Sequence, residues 1–120
     1  MAVVATVLLL VVAAIHAYIV VLEMVLWTTP RGRATFGTTP EQAQETKVLA
    51  ANQGLYNGFL AAGLVVGAVA TGDVGFWFGV FFTVCVAVAG AYGALTVSRR
   101  ILVVQTVPAL VALAAVLVAG

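Results

Sequence analysis

Long apolar runs separated by short polar connections dominate the pattern of this chain. Four such runs can be drawn, at about residues 3–27, 48–71, 75–97 and 101–119. Each approaches the roughly 20 residues that an α-helix needs to cross about 30 Å of hydrocarbon. Because the lipid interior offers no water to satisfy backbone polar groups, we expect helices for all four. The pattern predicts an all-α membrane protein, an up-down-up-down bundle of four transmembrane helices.

The first connection, residues 28–47, is the only long polar stretch and sets two helix limits. Thr28, Thr29 and Pro30 end the first helix, since proline disfavours helical geometry in the residue before it. Residues 31–33, Arg-Gly-Arg, are interpreted as a basic turn. Thr39 and Gln42, on either side of Pro40-Glu41, have the spacing of a capping box, which predicts that the second helix begins near Pro40.

The other two connections, residues 71–73 and 98–100, are tight turns, so consecutive helices are expected to lie side by side. All five Lys and Arg residues lie in the first and third connections. Cytoplasmic loops carry an excess of these residues. The chain is therefore predicted to have both ends outside the cytoplasm, an N-out/C-out topology.

The composition agrees with a membrane protein and excludes several other classes. Of 120 residues, 64% are hydrophobic and 8% charged, against roughly 25% charged in soluble domains. We interpret residues 1–120 as a single integral membrane domain whose first run is a retained helix, too long for a signal-peptide core. A net charge of +1 argues against a nucleic-acid partner. A lone cysteine, Cys85, excludes an internal disulfide and a multi-cysteine metal cluster, and we predict no metal site and no cofactor.

The first helix contains two ionisable residues, His16 and Glu23, inside an otherwise apolar run. At about 100° per residue the two lie within a narrow arc of one helix face. Such groups are costly in a bilayer, so by default they indicate a functional site. The structural alternative is a neutral glutamic acid hydrogen-bonded to Asn52 or Gln105, with His16 as an interhelical donor.

The other helices offer polar side chains at matching depth in the predicted cytoplasmic half. One stripe of the third helix contains Cys85 and Tyr92. In the fourth helix, Pro108 is expected to cause a bend. We predict a polar pocket open toward the cytoplasm if these faces turn inward. In the alternative, the same residues form hydrogen bonds that hold the helices together. The candidates for substrate binding or proton coupling are His16, Glu23, Asn52, Gln53, Tyr56, Asn57, Tyr92 and Gln105.

Glycine is plentiful in the predicted helices and forms GxxxG pairs, such as Gly63/Gly67 and Gly75/Gly79. Small residues at this spacing let helix backbones approach closely. Packing within the bundle is the favoured use, and a homodimer is compatible with the same pattern.

Two motif blocks stand out in the first half of the chain. The first runs through His16-Ala17-Tyr18-Ile19, Leu22-Glu23-Met24 and Leu26-Trp27-Thr28-Thr29-Pro30-Arg31-Gly32, and the second is residues 49–61, Leu-Ala-Ala-Asn-Gln-Gly-Leu-Tyr-Asn-Gly-Phe-Leu-Ala. These blocks resemble the DUF1304 family of small bacterial integral membrane proteins of unknown function. The resemblance covers essentially the whole chain. It implies a compact four-helix protein of the bacterial inner (plasma) membrane and supplies no catalytic residues.

Three functions fit these observations. The first is small-molecule binding or proton-coupled transport, with Glu23 and His16 as the protonatable groups. The second is a membrane-embedded enzyme that uses His16 and Glu23 for acid–base chemistry on a lipophilic substrate. The third is an accessory subunit of a larger membrane complex, in which the polar groups hold helices together. Besides the lipid bilayer, the expected partners are a small-molecule ligand and a second copy of the chain.

Overall fold

A computed structural model describes residues 2–120, and this part of the chain is helical throughout, without a β-strand. Helix α1 spans Val3–Met24, the short α2 spans Pro30–Phe36, α3 spans Pro40–Val69 and α4 spans Gly72–Thr96. A π-helical segment, Leu102–Thr106, leads directly into α5, Val107–Ala119. The predicted all-α class is confirmed.

Within residues 2–120, three helices are long and apolar enough to cross a membrane: α1, α4 and the continuous helix Leu102–Ala119. At 1.5 Å per residue, the 30 residues of α3 extend for about 45 Å, so its length also suffices. Its composition is less apolar, because Asn52, Gln53 and Asn57 fall within the stretch that would cross the bilayer. These three helices are thus candidate membrane spans, and a fourth crossing stays a prediction.

The predicted start of α3 is confirmed in atomic detail. The backbone N–H of Gln42 donates to Thr39 Oγ1 at 3.1 Å, and the backbone N–H of Thr39 donates to Gln42 Oε1 at 2.9 Å. This reciprocal pair is a capping box, which satisfies backbone donors that the first helical turn leaves without partners. Helix α3 accordingly begins at Pro40.

The interpretation of residues 31–33 as a turn is wrong, because they lie within α2. Thr29 caps this helix, accepting a hydrogen bond from the Gly32 N–H at 3.3 Å, and Pro30 occupies its first position. Gly37 ends it in the left-handed conformation, with φ of 69°. A proline after a threonine and a glycine at the far end are the usual limits of a helix, and the basic residues between them obscured that signal.

Two compact units make up the chain, and α1 and α3 contribute to both. The core unit contains the residues up to Ile15 and Leu60–Gly120, and the loop unit is His16–Phe59. The buried cluster of the core unit consists of small and aliphatic side chains: Ala5, Leu9, Val12, Ala13, Leu64, Ala68, Val86, Ala109, Ala112 and Val116. Its members come from α1, α3, α4 and α5.

Glycines set the distance between helices in the core unit. A Cβ atom on Gly67 would lie 2.8 Å from the backbone nitrogen of Gly79, so the backbones of α3 and α4 touch at this point. A Cβ on Gly90 of α4 would overlap Thr106 Oγ1 and come within 2.9 Å of the Thr106 backbone nitrogen. The close helix approach expected from the glycine pattern is confirmed within this unit.

The irregularity expected at Pro108 takes the form of the π-helical segment just before it. Proline has no N–H to donate to the carbonyl four residues earlier, and its ring crowds that carbonyl. The N–H of Val107 accordingly bonds to the Leu102 carbonyl, five residues back. Thr106 ends this segment and donates through Oγ1 to the Ala87 carbonyl of α4 at 3.0 Å.

The inward face predicted for α4 is wrong. The buried stripe of this helix contains Gly75, Gly79, Thr83, Val86 and Gly90. Tyr92, on the stripe expected to face inward, is 70% exposed, and Cys85 is half-buried. Apolar side chains occur on every face of α4, so hydropathy does not distinguish its faces. The glycines determine which face packs, because they let neighbouring helices approach closely.

Candidate functional site

Glu23 lies in the last turn of α1 and is the most deeply buried carboxyl group of the loop unit, with 2% of its surface exposed. Asn57 of α3, itself 8% exposed, donates from Nδ2 to Glu23 Oε1 at 2.6 Å. The contact joins residues 34 positions apart. Two of the predicted site residues thus meet directly.

A glycine allows α3 to approach α1 at this level. A Cβ atom on Gly54 would lie 2.5 Å from Met24 Cγ and 3.1 Å from Glu23 Cβ, closer than side chains tolerate. One turn further along α3, a Cβ on Gly58 would meet Val20 at an ordinary 3.8 Å. Gly54 therefore provides the space in which the Glu23–Asn57 hydrogen bond forms.

An open cleft of about 340 Å³ adjoins Glu23 within the loop unit. Its walls come from the end of α1, the connection after it and the first half of α3. The lining residues are Glu23, Met24, Val25, Trp27, Thr28, Lys47, Val48, Ala51 and Asn52. A glutamate, a lysine and a tryptophan are therefore among the residues that line this cleft.

Trp27 is held in place at this cleft by two contacts. Its indole Nε1 donates to Thr46 Oγ1 at 3.1 Å, and its ring lies 4.8 Å from the Phe36 ring, centroid to centroid. The Thr46 hydroxyl in turn donates to the Gln42 carbonyl at 2.7 Å. These contacts order one wall of the cleft before any ligand arrives, and ordering in advance reduces the entropy lost on binding.

The carboxyl group of Glu23 has capacity for a further partner. Asn57 contacts Oε1, and within residues 2–120 no other hydrogen bond to this carboxyl group is observed. A carboxylate accepts at two oxygens. A ligand with an amine or hydroxyl donor could bind at Oε2, and Lys47 could bind an acceptor of the same molecule.

The remaining predicted residues occupy different environments. In the loop unit, His16 is fully buried but lies seven residues from Glu23, about 10.5 Å along α1. Asn52 donates to the Val48 carbonyl of its own helix at 2.9 Å, and Gln53 is exposed. Tyr56 is 65% exposed and packs edge-to-face against Phe59.

The last two candidates, Tyr92 and Gln105, belong to the core unit, where Tyr92 is exposed and Gln105 half-buried. The structure thus joins Glu23 and Asn57 and places Asn52 on the same cleft. The roles in substrate binding or proton coupling stay predictions for all eight candidates.

Sequence reasoning missed two polar residues of this cleft, Lys47 and Trp27. Lys47 was considered only in the distribution of basic residues, and Trp27 only as part of the first motif block. Within residues 2–120, no group of three His, Cys, Asp or Glu side chains could hold a metal ion.

Comparison with known protein families identifies the family of the chain. The family model described as "Protein of unknown function (DUF1304)" matches residues 10–117, nearly the whole chain. The chain therefore belongs to the DUF1304 family. No curated protein and no solved structure matches it.

Proposed function

We propose that this DUF1304 protein crosses the plasma membrane of a bacterium four times and binds a small polar molecule beside Glu23, which acts as the proton-coupling group. The proposal has two parts, a topology and a binding site. Each is supported by a different set of residues and has its own test.

The distribution of basic residues supports the fourth crossing. If α3 crosses the bilayer, Arg31, Arg33 and Lys47 lie on the same side as Arg99 and Arg100. If it does not, the two groups lie on opposite sides, because only α4 would separate them. The strong preference of Lys and Arg for cytoplasmic loops favours the first arrangement, with both chain ends outside.

Labelling of introduced cysteines tests this topology. In a Cys85→Ser background, we expect Asp73→Cys to react with an impermeant maleimide in intact cells. Gln44→Cys, on the exposed start of α3, should react only after permeabilisation. Equal labelling of the two variants from the same side would contradict the fourth crossing.

The buried Glu23–Asn57 pair beside an open cleft is the observation that supports ligand binding. A carboxyl group in a membrane helix is costly, whether it is charged or forms a hydrogen bond in an apolar setting. If Glu23 served only to join two helices, the hydrogen bond from Asn57 would be enough. The adjoining cleft, with Lys47 and an ordered Trp27, goes beyond what packing requires and matches a site for a molecule that carries donor and acceptor groups.

The substitution Glu23→Gln tests the role of the carboxyl group. The glutamine side-chain oxygen can still accept from Asn57, so we expect the protein to fold, while the group that binds and releases a proton is lost. In proteoliposomes with an internal pH-sensitive dye, wild-type protein should give substrate-dependent proton movement in a screen of small amines and zwitterions. The variant should give none.

The matched control is Glu45→Gln, an identical change at an exposed residue of α3 that does not line the cleft. It should behave as wild type. If Glu23→Gln and wild type give identical dye signals and identical ligand-induced thermal shifts, Glu23 is a packing residue and the binding proposal fails.

A further inference from the structure

Outside the cleft, the loop unit contains a second polar arrangement, formed by Tyr18 of α1 and Arg31 of α2. Arg31 Nε donates to the Tyr18 hydroxyl oxygen at 2.8 Å. The central carbon of the guanidinium lies 5.6 Å from the centroid of the Tyr18 ring. A hydrogen bond and a cation–π contact thus orient one arginine on one tyrosine.

Both side chains remain accessible. Tyr18 is 45% exposed, and Arg31 is exposed on α2. The contact with Tyr18 uses Nε and leaves the two terminal nitrogens of the guanidinium available. Because the partner is a neutral phenol rather than a carboxylate, this contact does not neutralise the positive charge.

The direction of the hydrogen bond creates a second donor at the same place. Since the Tyr18 oxygen accepts from Arg31, its own hydroxyl proton is available to donate. Within residues 2–120 no acceptor for that proton is observed. The hydroxyl group of Tyr18 is therefore adjacent to the guanidinium of Arg31, and both can donate hydrogen bonds to the same anion.

The location along α1 indicates which anions this site would meet. Tyr18 lies six residues, about 9 Å along the axis, before the end of a helix that is long and apolar enough to span a bilayer. Arg31 follows the end of this helix, and long basic side chains next to membrane helix ends extend to the lipid headgroups, where the Tyr18 hydroxyl reaches the guanidinium from below. The forked guanidinium matches the geometry of phosphate oxygens.

We propose that Arg31 and Tyr18 form a binding site for a phosphate group, at which the guanidinium binds two oxygens and the tyrosine hydroxyl donates to one of them. Two sources can supply this group: the phosphodiester of an anionic phospholipid in the adjacent leaflet, or free inorganic phosphate. The site is separate from the Glu23 cleft and does not depend on the function proposed for it.

Native mass spectrometry of the intact protein in mild detergent tests the site, with phosphatidylglycerol titrated as the probe. Wild-type protein should retain this lipid. Arg31→Gln should weaken the apparent affinity about tenfold, as expected for loss of a charge-assisted contact. Tyr18→Phe keeps the ring and removes only the hydroxyl, so it should stay folded and weaken binding by about threefold or more.

Arg33→Gln is the matched control, because it removes the same charge from the same helix. Arg33 lies two positions from Arg31, roughly 200° around α2, and its Nε donates to the Thr28 carbonyl at 3.4 Å. The affinity of the Arg33→Gln variant for phosphatidylglycerol should stay within about twofold of the wild-type value. If Arg33→Gln loses as much affinity as Arg31→Gln, binding reflects general charge and the proposed site is refuted.

A competition arm separates the two sources of phosphate. Lipid retention that depends on Arg31 and persists in millimolar inorganic phosphate assigns the site to a phospholipid. Displacement of the lipid by inorganic phosphate, again dependent on Arg31, assigns it to the free anion. Equal lipid and phosphate binding by wild type, Arg31→Gln and Tyr18→Phe would overturn the proposal, with circular dichroism verifying that each variant is folded.

Discussion

Replacing Gly32 by alanine is expected to displace α2 from the end of α1. A Cβ atom at this position would overlap the Leu26 carbonyl oxygen, 2.8 Å from the Leu26 carbonyl carbon and 3.0 Å from the Trp27 carbonyl oxygen. All three obstacles are backbone atoms, which cannot rotate away as a flexible side chain could. The helix would have to move by the order of 1 Å to restore ordinary contact distances.

The size of the effect follows from the contacts that this movement disturbs. The Trp27–Phe36 ring pair is worth about 0.5–1.5 kcal/mol, and the Thr29 cap about 1 kcal/mol. Alanine recovers about 0.5–1 kcal/mol, since it is a better helix former than glycine. We expect α2 to be destabilised by about 2 kcal/mol, including the overpacking itself.

Hydrogen exchange of the protein in lipid nanodiscs measures this quantity. A loss of 2 kcal/mol raises the rate of exchange through local opening by about thirtyfold for the α2 amides. Gly58→Ala is the control, because its Cβ would meet only Val20 at 3.8 Å, so α3 should be unchanged or slightly more protected. Equal or slower exchange of α2 in Gly32→Ala would refute the argument, since propensity alone predicts stabilisation.

Two further predictions concern the contacts between helices. A double-mutant cycle with Glu23→Leu and Asn57→Leu, measured by unfolding in detergent, should give a coupling free energy of about 0.6–1.7 kcal/mol; additive effects would show that the hydrogen bond does not form. Gly90→Ala should lower the free energy of unfolding by about 1–3 kcal/mol, because its Cβ would overlap Thr106 Oγ1. In the control Gly93→Ala, the new Cβ would meet only the Ile101 side chain at 3.0 Å, so the loss of unfolding free energy should be smaller. A larger loss of thermal stability in Gly93→Ala than in Gly90→Ala would contradict the close contact at Gly90.

Local signals in the sequence predicted several elements correctly because each depends on neighbouring residues. The Thr39–Gln42 capping box needs only four consecutive positions, and its hydrogen bonds form as expected. The apolar runs required helices wherever the chain meets lipid. One local prediction failed at α2, whose seven residues include a glycine and two arginines that favour a turn. Another failed at the end of α1, which lies at Met24 and not at residues 28–30, because Pro30 begins α2 instead of ending the first helix.

The candidate site was predicted only in part. Glu23 was identified because an ionisable residue stands out in an apolar helix. The partners expected for Glu23 were Asn52 or Gln105, whereas the observed donor is Asn57, and Asn52 bonds to its own helix instead. The three amides lie on α3 or in the π-helical segment before α5, and nothing in the sequence singled out Asn57. The pairing of Tyr18 with Arg31 could not be predicted, because it requires α2 to return alongside α1.

The helical class, the apolar character of the long helices and the distribution of charge thus follow from the sequence alone. The tertiary structure decided which faces pack and which polar groups meet. The physical reason is that lipid is as apolar as the protein interior, so hydropathy does not distinguish an inward face from an outward one in such helices. Steric fit decides instead: Gly67 and Gly79 bring two backbones into contact, and Gly54 allows Asn57 to reach Glu23.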